Sequence, residues 1–109
     1  MSRDDAVLID ILNAAKQARQ FISGLDKAAF LADSRTCFAV LHQLVIIGEA
    51  ANHIPDDVQD ANQDVPWVLM RAMRNRVVHV YFDLDPDILW DTVHNDLPKL
   101  VDPLKRLLD

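Results

Sequence analysis

The sequence predicts an all-α bundle, and three observations carry that expectation. Half of the 109 residues are hydrophobic and only two are glycine, a composition that suits a compact helical chain better than a sheet or a disordered polymer. Apolar residues recur at three- and four-residue spacing in successive stretches. Short acidic or proline-bearing connections separate those stretches, which favours antiparallel neighbours. The expected architecture is an antiparallel bundle of four main helices (up to five), with the last helix kinked at Pro98. At this length one domain, residues 1–109, has enough chain for one core and not for two.

Taken in order, Asp4 or Asp5 is placed to cap a first helix. Its apolar stripe runs through Val7, Leu8, Ile11, Leu12, Ala15, Phe21 and Ile22, and Ser23-Gly24 ends it. Asp26 opens a short helical turn through Phe30 and Leu31. Asp33-Ser34 offers the next cap, and the helix from Cys37 to Ala51 is apolar nearly all round. Such a helix belongs in the middle of a bundle or at a subunit interface. Gly48, Ala50 and Ala51 leave room there for a close neighbour. Pro55 closes the segment, and residues 56–65, acidic and amide-rich, read as a loop with one helical turn at most. Asp64 is the expected cap of the following helix, with Pro66 tolerated in its first turn. Beyond Asp83 to Pro86 the last helix carries Ile88, Leu89, Val93, Leu97, Leu100 and Leu104 in a three-and-four rhythm. Pro98 and Pro103 should kink or interrupt it.

The net charge of −6 argues against a general nucleic-acid binder, which would present a basic face. The acidic residues fall mainly in connections and helix starts, however, while Arg71, Arg74 and Arg76 cluster. A local basic cleft on an acidic body fits both facts. No apolar run is long enough to cross a bilayer, and the first residues carry no signal-peptide pattern. Cytoplasmic residence without disulfides is expected, with the lone Cys37 a small buried thiol.

The chemistry concentrates between Met70 and Phe82. With Arg74 as the zero of a helical wheel, Tyr81 lies at about −20°, Arg71 near 60°, Asn75 near 100° and His79 near 140°. Leu69, Val80, Met73, Val77 and Met70 fill the opposite arc, from about 220° to 320°. One face packs, and the other presents Arg, Arg, Asn, His and Tyr together. Histidine titrates near neutral pH and serves as a base or an acid; a guanidinium is always charged and can hold two phosphoryl oxygens. His42 and His53 flank Glu49 without a third ligand at suitable spacing, so no metal and no cofactor are expected. Glu49, the sole glutamate, is a plausible partner for a buried arginine or a helix end. His94 belongs at the surface or lining a cavity, and Trp67 and Trp90 are core or interface anchors.

The pattern Arg74-x-x-x-x-His79-x-Tyr81, with Asn75 after the arginine, resembles the signature of HEPN-domain ribonucleases and more closely that of the HepT-like toxin family. Gly48-Glu49-Ala50-Ala51, Pro66-Trp67, Tyr81-Phe82-Asp83, Ile88-Leu89-Trp90-Asp91 and Asn95-Asp96-Leu97-Pro98 extend the likeness over most of the chain. The resemblance implies a HEPN-type bundle acting as a metal-independent endoribonuclease toxin on an RNA substrate. Arg74, His79 and Asn75 would be catalytic at the cleft of a homodimer, with Arg71 and Arg76 as further phosphate contacts. It also implies a type VII-like toxin–antitoxin pair whose partner, an MntA-like nucleotidyltransferase antitoxin, transfers AMP to Tyr81. The alternative is a non-catalytic helical module that docks a partner nucleotidyltransferase or a nucleotide.

Overall fold

Ser2, and neither Asp4 nor Asp5, caps the first helix. Its side chain accepts from the Asp5 N–H at 3.0 Å, so the two aspartates fall in the first turn of α1 (Arg3–Phe21), where negative charge suits the helix end. The computed structural model describes the backbone of residues 2–77 and 85–109, and the side chains of 2–75 and 85–109. Leu8, Ile11, Leu12 and Ala15 are buried as the periodicity predicts. Ala14 and Ala18 join them and widen the buried stripe, while Phe21, expected inside, is 39% exposed. Gly24 adopts φ 81°, a conformation that a side chain would disfavour, and turns the chain away.

The short α2 (Lys27–Leu31) is capped by Asp26, which accepts from the Ala29 N–H at 2.8 Å. Its Phe30 is fully buried, the ring centroid 5.5 Å from that of Trp90. Asp33 then caps α3 (Ser34–Ala51), accepting from the Thr36 N–H at 3.2 Å and from its hydroxyl at 2.7 Å. Those bonds, the hydroxyl's first, hold the Asp33 carboxyl below its ordinary range. α3 is the central helix: it packs against α1 on one side and α5 on the other. Val40, Leu44, Ile47 and Ala51 are fully buried, whereas Phe38 on the far side is 61% exposed.

Part of the expected loop is helical, as α4 (Asp56–Ala61), followed by α5 (Trp67–Val77). Pro66 precedes the first helical residue, and its carbonyl accepts from the Met70 N–H at 3.0 Å. Asp64, expected to cap this helix, instead meets Arg106 at 3.4 Å. Trp67 is buried, its indole N–H donating to the Asn62 carbonyl at 3.0 Å, which ties the start of α5 to the end of α4.

Asp85 caps α6 (Pro86–Asp91), with Pro86 in the first turn. The chain then passes through a π-helical turn, Thr92–Asp96, in which the Leu97 N–H reaches back five residues to the Thr92 carbonyl at 3.0 Å. α7 (Pro98–Leu108) follows directly and packs on α1. Pro98 has no N–H and its ring would crowd the carbonyl four residues earlier; a widened turn relieves both problems. The ladder therefore changes register where the sequence led us to expect a kink, and Pro103 sits within α7 without ending it. Among the described residues there is no strand, and no helix is long and apolar enough to cross a membrane.

Candidate active site

The two-faced character of α5 holds over its described side chains. Met70 and Met73 are fully buried, Arg71 is partly buried, and Arg74 and Asn75 are exposed. What positions Arg74 is the crossing with α3. A Cβ added at Gly48 would lie 2.8 Å from the Arg74 Cβ and 3.1 Å from its backbone nitrogen, so the two helices can approach this closely only where α3 has no side chain. The next residue along α3, Glu49, reaches across the crossing, its Oε1 2.7 Å from Arg74 Nε. Both side chains remain half exposed, at 50% and 49%. Glu49 was expected to serve a buried arginine or a helix end; its partner is an arginine at the surface.

Arg71 has a different anchor. Its Nη1 donates to Gln59 Oε1, and the Gln59 amide nitrogen in turn donates to the Ile54 carbonyl at 2.9 Å. Arg71 is thus held by α4, while Arg74, three residues on, is held by α3. On the polar side of α5 the structure therefore pairs Arg74 with Glu49 and Arg71 with Gln59, and Asn75 is exposed next to Arg74 in the chain. The backbone of Arg76 continues α5, its side chain lying beyond the described residues. His79 and Tyr81 also lie outside the described residues, so their expected places on this face rest on the sequence pattern.

Two features of this face escape sequence reasoning. Gln59 reads in sequence as one more polar loop residue, and nothing in its spacing signals a contact with Arg71. Beside it lies a groove of about 710 Å³ between α4 and α5, with Pro66, Val68 and Ala72 among its lining residues and Asp60, Gln63 and Arg71 supplying polar groups. Val68, Ala72 and Asn75 are spaced by four and three residues, so the groove's helical wall continues along α5 to Asn75, next to Arg74 in the chain.

The other candidates are elsewhere. His42 and His53 are exposed, and among the described residues no three His, Cys, Asp or Glu side chains gather as metal ligands. His94 is exposed and stacks on Trp90, with centroids 5.5 Å apart and planes at 11°, beside a second cavity of about 300 Å³ that Arg19 also lines. Cys37 is buried, its thiol donating to the Phe30 carbonyl at 3.3 Å. Burial, with a smaller push from the Asp33 charge, raises its pKa and keeps it a poor nucleophile.

Comparison with known proteins adds an independent line. The family model described as Ribonuclease HepT-like matches residues 11–107. A Thermococcus cleftensis protein named "Probable ribonuclease HepT" is 38% identical over 100 residues, covering 92% of this chain and 91% of its own. A Methanocaldococcus jannaschii protein provisionally named an RNase is 37% identical over 102 residues, covering 92% of this chain and 94% of its own. A third, from Caldanaerobacter subterraneus and also provisionally named an RNase, is 30% identical over 87 residues, with 80% and 78% covered. No solved structure matches the chain.

Proposed function

Because this chain belongs to the HepT-like ribonuclease family, we propose that it is a metal-independent endoribonuclease toxin whose catalytic groups are Arg74, His79 and Asn75. The observation that carries this reading is the fixing of Arg74. Its Cα and Cβ are set by the Gly48 crossing and its Nε by Glu49, yet half of the side chain stays open to solvent. A phosphate would be met by the outer Nη1–Nη2 edge of the guanidinium, in the bidentate geometry suited to an RNA backbone. In the proposed reaction the ribose 2′-oxygen attacks phosphorus and the bond from phosphorus to the 5′-oxygen breaks. The products are a 2′,3′-cyclic phosphate and a 5′-hydroxyl. His79 takes the 2′-OH proton or delivers one to the leaving oxygen, and Arg74 balances the charge that builds on the phosphorane. Asn75 orients the phosphate or His79, and Arg71 and Arg76 hold neighbouring phosphates.

Arg74 and His79 are about 140° apart on a helical wheel, so the reading includes a two-fold homodimer in which both copies line one cleft. Phe38 supports this: it is exposed on the same side of α3 as His42, Val45 and Glu49, a stripe that ends at the partner of Arg74. The proposal extends to a toxin–antitoxin pair in which a nucleotidyltransferase antitoxin adds AMP to Tyr81. The purified protein should cut RNA in the presence of a chelator, and Arg74→Ala and His79→Ala should each abolish cutting while leaving helicity unchanged. Equal cleavage by wild type and His79→Ala would sink the assignment. The Arg74–Glu49 pair also favours a second reading, a docking module without catalysis, because a guanidinium already matched by a carboxylate is less available to phosphate. Such a chain would cut nothing.

A further inference from the structure

We propose that the groove between α4 and α5 is a subsite for one base of the bound RNA, and that it selects a base carrying an exocyclic amino group. The proposal rests on the ribonuclease reading above and specifies which part of the substrate the site reads. At about 710 Å³ the groove is in the size range of small-molecule sites and large enough for a nucleotide. Pro66, Val68 and Ala72 supply apolar surface of the kind a base face covers, and Val68 is 73% exposed, so its methyl groups are within reach of an incoming ring. Arg71 lines the same groove and stands three residues, about one helical turn, before Arg74. A nucleotide whose phosphate sits on Arg71 would lay its base along the Val68–Ala72 wall.

The polar groups decide the kind of base. Gln59 is committed to Arg71 and to the Ile54 carbonyl. Asp60 and Gln63 remain as exposed lining groups, a carboxylate that only accepts and an amide that does both. Adenine, cytosine and guanine each offer an amino group to a carboxylate. Uracil offers one N–H flanked by two carbonyl oxygens, which a carboxylate repels. One cation, one anion and the Gln63 amide beside an apolar wall match a nucleotide's phosphate and amino group better than the all-apolar face of a docking peptide.

The test is an NMR titration of the intact protein with the four nucleoside 3′- and 5′-monophosphates, run beside a cleavage-site survey on a mixed-sequence RNA. The adenine, cytosine and guanine nucleotides should bind about fivefold more tightly than the uracil nucleotides, the size expected of one charge-assisted hydrogen bond weakened by exposure. Asp60→Asn should erase that difference and broaden the base preference beside the cut. Val68→Glu, a change at an exposed position, should weaken all four. RNA cleavage that proceeds with no mononucleotide binding, or with the same base preference in Asp60→Asn, overturns the subsite and leaves the ribonuclease reading standing. That outcome includes a groove reserved for a partner protein. Selective mononucleotide binding by a chain that cuts no RNA overturns the ribonuclease reading and keeps the groove.

Discussion

Gly48 and Arg74 meet where α3 crosses α5, so closely that a single methyl group on Gly48 would stand 2.8 Å from the Arg74 Cβ and 3.1 Å from its backbone nitrogen. Two effects compete in Gly48→Ala. Alanine is worth about 1 kcal/mol in helix propensity over glycine. Overpacking a tight contact costs about 1–3 kcal/mol, and rotating a side chain cannot relieve this one because backbone is among the atoms struck. Overpacking should win by about 1 kcal/mol, lowering the melting temperature by several degrees. Cleavage should fall further than stability does, because the strain is relieved by moving Arg74. Urea unfolding followed by circular dichroism gives the first quantity, and a midpoint unchanged from wild type would contradict the contact.

The Arg74–Glu49 pair separates stability from activity. Being half exposed on both sides, it contributes at most about 1 kcal/mol to folding. Arg74→Lys should therefore melt within a few degrees of wild type. It keeps the positive charge and loses the planar fork, so cleavage should drop about 100-fold, as when one oxyanion donor is removed. Glu49→Gln should likewise leave stability almost intact and reduce kcat more than it raises KM, since the carboxylate acts by holding Arg74. Near wild-type turnover in Arg74→Lys would show that a point charge suffices and would end the bidentate role.

What the sequence made legible follows from how local each feature is. Helix periodicity and the caps at Asp26 and Asp33 depend on residues within one turn, and the structure has them where the pattern put them. The space at Gly48 was readable because a small residue in an apolar helix signals a close neighbour. That the neighbour is Arg74, 26 positions after Gly48, and that Glu49 lies within ion-pair distance of it, depends on the angle between two helices, which no local pattern encodes. Ser2 outcompeted Asp4 and Asp5 because a cap belongs just before the first helical residue, and only the hydrogen bonds show which residue that is. Asp64 stands three positions before Trp67, the first residue of α5, out of place for a cap, and meets Arg106, 42 positions away. Gln59 and the groove beside it arise only when α4 is laid against α5. His79 and Tyr81 come from the motif alone.

Phe38 gives the dimer a test. A phenylalanine 61% exposed is an apolar surface that a partner copy would cover, and it shares a stripe with Glu49. Sedimentation should show a species of twice the 12.4 kDa chain mass at micromolar concentration. Phe38→Glu should shift it to monomer and lose cleavage in parallel, with helicity kept, since the substitution lies outside the core. A wild-type chain that sediments as a stable monomer removes the composite cleft, and a monomeric Phe38→Glu that still cuts RNA at full rate shows that one copy is enough.

Regulation at Tyr81 can be tested by intact mass. The wheel sets Tyr81 about 20° from Arg74, two turns farther along the same face. Transfer of AMP to the phenol oxygen would break the bond between the α- and β-phosphates of ATP, release pyrophosphate, and leave a phosphodiester on the tyrosine. That group would bring a negative charge to the guanidinium an RNA phosphate needs, and a bulky adenosine beside it that obstructs the RNA. Two mechanisms of neutralisation then differ in one readout. If modification silences the enzyme, co-expression with the cognate nucleotidyltransferase should add one or more AMP units to the intact mass. Cleavage should fall with the fraction modified. Tyr81→Phe should remain dimeric and active, because the phenol is neither the acid nor the base, and should escape neutralisation. If the wild type emerges neutralised and unmodified, the antitoxin acts by binding alone and Tyr81 is no switch.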